Sequence, residues 1–144
     1  MASFNLGHDI KLDVVDSQTN RVIASFGDFT HFSSEPITKS ITHEPVSGEP
    51  EFDEVEHGWK GTLEYDRTSN EIDAFFANKE EAYFSNGARY PVTITETVYE
   101  KDGNVSQYRY TKVALKLDSA GSWKAADKVA QKVSFMASRR KKVV

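Results

Sequence analysis

Residues 58–87 read GWKGTLEYDRTSNEIDAFFANKEEAYFSNG, and the period of the apolar residues changes partway through. Trp59, Gly61, Leu63 and Tyr65 alternate with Lys60, Thr62, Glu64 and Asp66. That is the two-residue repeat of a strand with one buried face. From Thr68 onward the repeat becomes helical. Thr68 and Glu71 stand at capping-box spacing. Ile72, Phe75, Phe76 and Tyr83 then form an apolar stripe, and Asn86-Gly87 supplies a left-handed stop. The stretch predicts a strand running into a helix, with Trp59, Leu63 and Phe76 in the core.

Most other segments on either side read as strands. In DIKLDVV (9–15), Ile10, Leu12 and Val14 share one face. RVIASFGDFTHF (21–32) follows a turn at SQTN. YPVTITETVYE (90–100) and VSQYRYTKVALKLD (105–118) flank KDGN, whose Asp102-Gly103 is a strong hairpin signal. KVAQKVSFMAS (128–138) puts Val129, Gln131, Val133, Phe135 and Ala137 on one face. The expected class is mainly β. Seven or eight strands form a sandwich or barrel of two packed sheets, with one flanking α-helix. The chain has 144 residues, which sets one domain as the expectation.

Residues 35–58 need a separate account. Ile37, Lys39, Ile41 and His43 alternate with Thr38, Ser40 and Thr42. Phe52, Glu54 and Glu56 alternate with Asp53, Val55 and His57, and a turn-rich EPVSGEPE lies between the two runs. The pattern is a long hairpin projecting from the domain. Its acids are Glu35, Glu44, Glu49, Glu51, Asp53, Glu54 and Glu56, with Lys39 as the one Lys or Arg among them. A lone two-stranded ribbon is marginal in water, so this one calls for a partner surface. Pro36 and Pro45 guard it against uncontrolled strand addition.

Chemistry is harder to find. There is no cysteine, so neither a disulfide framework nor a thiolate metal site is open to the chain. His8, His31, His43 and His57 have no ligand spacing, and no metal or cofactor is expected. No phosphate-binding loop, dinucleotide fingerprint or nucleophile elbow occurs, and no catalytic residues are assigned. DSAGSWKAADK (118–128) reads as a connector with a packing Trp123. Tyr99, Tyr108 and Tyr110 beside Arg109 and Lys112 read as cross-strand pairs rather than a base-stacking platform, because the net charge is −4. No apolar run reaches the length of a membrane-spanning helix and no signal-peptide core is visible, so no membrane insertion is expected. The exposed basic end, Arg139, Arg140, Lys141 and Lys142 in a tail at 139–144, suits an acidic neighbour.

The order of these features resembles the tail tube proteins of tailed bacteriophages, those with contractile tails. The resemblance rests on DGNVSQYRYTKVALK (102–116), GSWKAADKVAQKVSFMASRR (121–140) and the strand-to-helix run at 58–76. It implies a single tail-tube domain over 1–144 and a structural, non-enzymatic role. It also implies hexameric rings stacked into a tube, with about four strands per subunit lining a wide lumen. Residues 35–58 would be the stacking hairpin, ordered only between rings. Glu44, Pro45, Glu49, Glu51, Asp53 and Glu54 would make inter-ring contacts. Arg139, Arg140, Lys141 and Lys142 would form an inter-subunit tail. Glu64, Asp66, Glu96 and Glu100 would be lumen-facing acids, past which double-stranded DNA slides without specific binding. Implied partners are sheath, baseplate, tape-measure and tail terminator proteins. The place implied is the virion tail, assembled in the bacterial host cytoplasm. Tubes of related contractile injection or secretion systems share the pattern. Two readings from other classes compete with it, a monomeric β-barrel binding a small ligand and a small carboxylate hydrolase.

Overall fold

A computed structural model describes residues 6–17, 19–26, 29–87, 89 and 91–143, without the side chains of His8 and Phe26. Gln18 of the expected first turn, Gly27-Asp28, Tyr90 and Val144 lie outside the described residues. The elements are β1 (Ile10–Asp16), β2 (Val22–Phe26), β3 (Phe29–His43), β4 (Glu51–Asp66), α1 (Glu71–Asn86), β5 (Val92–Tyr99), β6 (Val105–Ser119), β7 (Ala130–Ala137) and β8 (Arg139–Lys142). All strand pairs are antiparallel, in the order β2-β1-β5-β6-β7-β4-β3, with β8 also on β6. The expected single segment at 21–32 is therefore two strands, β2 and β3, at opposite edges of the ladder.

The two packed sheets are one ladder folded along β6. The first half of β6 pairs with β5, and the second half pairs with β7. Between them Lys112 takes a left-handed φ of 50°. That conformation is uncommon for a residue with a side chain and reverses which parity faces inward. Tyr108 and Tyr110 point to the core before the kink; Val113, Leu115 and Leu117 do so after it. The neighbouring strand bends at the same level. Ala114 pairs with Met136 and Thr111 with Arg139, so β7 and β8 continue one register along β6, broken at Ser138. The buried residues of the two halves meet face to face: Leu12, Val14, Val92 and Ile94 from one, Leu63, Tyr65, Val133 and Phe135 from the other.

The helix closes one end of this interior. Its cap is Asn70 rather than Thr68, and Gly87 ends it in the left-handed conformation at φ 72°. Ile72 is buried and lines a small apolar void with Leu12, Val14, Ile94, Leu63 and Leu115. Phe75 and Phe76 pack on the core from the side and are half-buried, as is Trp59. Leu63 is fully in the core, as expected. Tyr83 and Phe84 are exposed, so the expected stripe is buried only in its first half; Tyr83 lies over a surface cleft that it shares with Leu115 and Leu117 of β6. The first turn is anchored through Asp73, which accepts from Arg67 Nε and from Gln131 Nε2, both at 2.9 Å. The buried Gln131 is thereby satisfied, and it also donates to the Ala120 carbonyl at 3.0 Å. Trp123 is exposed beneath the Arg67 guanidinium instead of packing in the core.

Candidate functional site: a projecting ribbon and a basic strand

The hairpin forms because β3 and β4 outrun their neighbours. β4 pairs with β7 only from Trp59, opposite Ala137, to Asp66, opposite Ala130. At Gly58 the register of β3 and β4 shifts by one residue, and Gly58 adopts φ 124°. A Cβ there would sit 2.6 Å from the Ala137 carbonyl oxygen, so only glycine allows this approach. Beyond it β7 turns off into β8, while the ribbon continues alone. Thr38 to His43 pair with Glu56 to Glu51, about 20 Å of ladder at 3.3 Å per residue. The Gly48 N–H closes the tip on the Pro45 carbonyl at 3.0 Å. The ribbon is thus paired within a single chain, where the family resemblance implies ordering between rings.

Its two faces differ. Ser40 and Glu54 share one face with Thr38 and Glu56 and with Thr42 and Phe52. The other face carries Lys39 and Val55, Ile41 and Asp53, His43 and Glu51. Ile41, Val46, Phe52 and Val55 are all exposed, Val46 and Phe52 most fully. The ribbon therefore exposes apolar side chains on both faces and at its tip. Glu44, Pro45, Glu49, Glu51, Asp53 and Glu54 all lie on this ribbon or its tip, as the sequence places them.

The basic end is a strand rather than a tail. Arg139–Lys142 pair with Tyr108 to Thr111 of β6, and their alternation divides their tasks. Arg140 turns inward, and its Nη2 donates to Glu96 Oε2 at 2.6 Å. Its Nε donates to the Tyr110 hydroxyl at 3.1 Å, and the guanidinium lies 3.7 Å from the Tyr108 ring centroid. The Tyr110 hydroxyl continues to Ser34 Oγ at 3.0 Å, so the network joins both halves of the fold. Burial opposes the charge on Arg140, but hydrogen bonding and charge from Glu96, then from Tyr110, outweigh it and raise its pKa. Burial likewise raises the Tyr110 hydroxyl. Arg140 is thus engaged within its own chain rather than extended as a free tail; Arg139 and Lys141 face outward and are exposed.

The four expected lumen acids do not share a face. Glu96 shares the inward parity of Val92 and Ile94 and is buried, a correction to its placement on a lumen wall. Glu100 belongs to the β5–β6 turn, where its N–H donates to the Asn104 carbonyl. Glu64 and Asp66 do lie together, on the outer face of the β6-β7-β4-β3 half. That face pairs its own charges. Lys60 Nζ is 3.4 Å from Glu35, Lys128 Nζ 3.6 Å from Asp66, and Lys116 Nζ 3.9 Å from Asp118. His31 Nδ1 stands 3.8 Å from Glu64, which also faces Lys132 across the ladder.

Among the described residues no group of three or more His, Asp or Glu could hold a metal ion. No helix among them is long and apolar enough to cross a membrane.

No protein-family model matches the chain, and no curated protein does. Solved structures do match it. A chain of the sheath–tube complex of the PVC extracellular contractile injection system, in its extended state, superposes with a TM-score of 0.68 at 14% identity. That match covers 100% of this chain and 94% of the other. A chain of the sheath/tube terminator of the same system gives 0.69 at 13% identity, covering 100% and 99%. The SPP1 tail tube gives 0.58 at 12% identity, covering 95% of this chain and 77% of that one. The chain has the fold of tail tube proteins.

Proposed function

We propose that the whole chain is one structural tube subunit of a phage tail or a related contractile injection particle. Six copies form a ring, and rings stack through the ribbon. The observation that carries this reading is the ribbon itself, Thr38–Glu56, hydrogen-bonded only to itself yet exposing Ile41, Phe52 and Val55 on a tail-tube fold. In this reading the outer face of β6, β7, β4 and β3 lines the lumen. It offers four strands, with β3 and the second half of β6 as edges for ring neighbours. Lysines already beside carboxylates are poor counterions for phosphate, so double-stranded DNA slides past without sticking. Sheath, baseplate, tape-measure and terminator proteins are the implied partners, the particle is a virion tail or injection device, and assembly takes place in the bacterial host. The role is non-enzymatic.

The test is electron microscopy of the purified protein alongside a variant lacking residues 44–51. The parent should give tubes or stacked rings. The variant should stay folded, because a loop tip contributes little core, and should not grow tubes. Native tubes from the deletion variant would show that the tip is not the stacking element. A parent that stays monomeric at every concentration would overturn the tube reading.

A further inference from the structure

The outer face where β6 meets β8 carries cations with no acid beside them. Arg109 stands directly opposite Lys141, and Arg139 follows two residues from Lys141 on the same face. All three are exposed. Like charges directly opposed in a sheet are destabilising, so the arrangement needs an external reason. Among the described residues none of the three has an ion-pair partner. The acid in their row is Asp13, two strands away through Thr95, about 10 Å across the ladder. Asp13 also accepts from Ser25 Oγ at 2.6 Å.

The ribbon carries the complementary pattern. Glu54 and Glu56 project from one face, two residues apart, with hydroxyls of Thr38 and Ser40 opposite and no cation among them. Two residues along a strand is about 7 Å, the spacing of Arg139 and Lys141 as well. Within the chain, among the described residues, no ion pair joins Glu54 or Glu56 to Arg109, Arg139 or Lys141. Gly58 abuts Ala137 and Ser138, and Glu54 lies about 13 Å further out along the ribbon.

We propose that Arg109, Arg139 and Lys141 are the acceptor site for the Glu54/Glu56 face of the ribbon of a second copy of this chain. The inference rests on the tube reading and assigns its docking surface. β8 thus serves two ends: Arg140 fixes the strand inward, and its neighbours present charge outward.

Three chains test it: Arg139→Glu with Lys141→Glu, Glu54→Lys with Glu56→Lys, and all four substitutions together. Each pair alone should raise the protein concentration for half-maximal tube growth by about tenfold or more, because like charges then meet. The four together should return it to within about twofold of the parent. Circular dichroism of the unassembled chains checks that each is folded. Tubes from the Arg139→Glu, Lys141→Glu chain at the parent's concentration would overturn the acceptor site while leaving the tube reading intact. Should a reversed strand fail to fold, the absence of native cysteine gives a second measurement. Glu54→Cys with Arg139→Cys, oxidised in assembled tubes, should give disulfide-linked multimers. A control pair, Glu54→Cys with Asp127→Cys, should not. Equal cross-linking from both pairs, or none from the first, would also overturn the site.

Discussion

Arg140 donates to Glu96 at 2.6 Å inside the fold, joining the last strand to β5 beneath the rings of Tyr108 and Tyr110. The Glu96 side chain is only 6% exposed, and among the described residues Arg140 is the cation paired with it. Removing one partner of a buried pair leaves an uncompensated charge, at about 3–5 kcal/mol. Arg140→Met should therefore lower the unfolding free energy by about that amount in urea titration. Arg140→Lys should recover only part of it, since an ammonium cannot serve Glu96 and Tyr110 in the fork geometry of a guanidinium. A variant as stable as the parent would show that Glu96 finds another partner.

Two glycines should tolerate no side chain. A Cβ on Gly61 would meet the Ser33 carbonyl oxygen at 2.3 Å and the Phe135 ring at 2.6 Å. On Gly58 it would meet the Ala137 carbonyl at 2.6 Å, at a φ that L residues rarely adopt. Backbone carbonyls cannot swing aside as side-chain ends do. Gly61→Ala and Gly58→Ala should each destabilise by about 1–3 kcal/mol or more. Gly58→Ala should in addition redirect the ribbon and impair assembly. Thermal melts compared with an exposed-site control such as Ser69→Ala would check both.

Alkaline pH should report on Tyr65. Burial, then the charge of Asp73, push its hydroxyl up to about 12 against a partial opposing effect of Arg67. A raised folded pKa means that the native state keeps the proton that the unfolded chain loses. The associated stability is full below pH 10 and is lost as pH rises from about 10 to 12, about 3 kcal/mol over two units. Tyr65→Phe should flatten this limb, leaving the smaller part due to Tyr110, whose hydroxyl is also raised. Urea titrations at pH 8 and pH 11.5 give the comparison. An unchanged alkaline limb in Tyr65→Phe would place the titration elsewhere.

What the sequence could and could not reveal divides at the kinks. Within a straight run, alternation locates the buried face: Leu12 and Val14, Leu63 and Tyr65, Val133 and Phe135. The ribbon, too, is legible from two alternating runs around a proline-rich tip. Parity fails where a strand bends. Lys112 is left-handed without being glycine, and Ser138 interrupts β7 and β8 opposite it, so the inward face reverses at both. That reversal turns Arg140 inward and makes a supposed tail a strand. Glu96 was open to a closer reading, since it shares the parity of Val92 and Ile94 in a segment that alternates cleanly. An acid on a buried parity asks for a cation, but which one depends on the bend at Ser138. Helical spacing similarly says which side chains share a face, not how closely the sheet packs against each of them, and Tyr83 is exposed beside Leu115 and Leu117.

Phe52 separates folding from assembly most cleanly. It is 75% exposed, on the ribbon face that carries Glu54, and opposite Thr42. Within the single chain its ring removes little apolar surface from water. Phe52→Ala should change monomer stability by no more than about 0.5 kcal/mol, the range for surface substitutions away from special features. At an interface the same ring is a different object. Aromatic side chains carry much of the binding energy where they fill a pocket, and truncation at such positions costs about 2 kcal/mol or more. That corresponds to a rise of about thirtyfold in the concentration needed for assembly. Urea titration of the unassembled chain and pelleting across a concentration series measure the two effects on the same variant. A large loss of stability would mean that Phe52 packs within the chain. Assembly at the parent's concentration would mean that the ribbon engages its partner through charge alone.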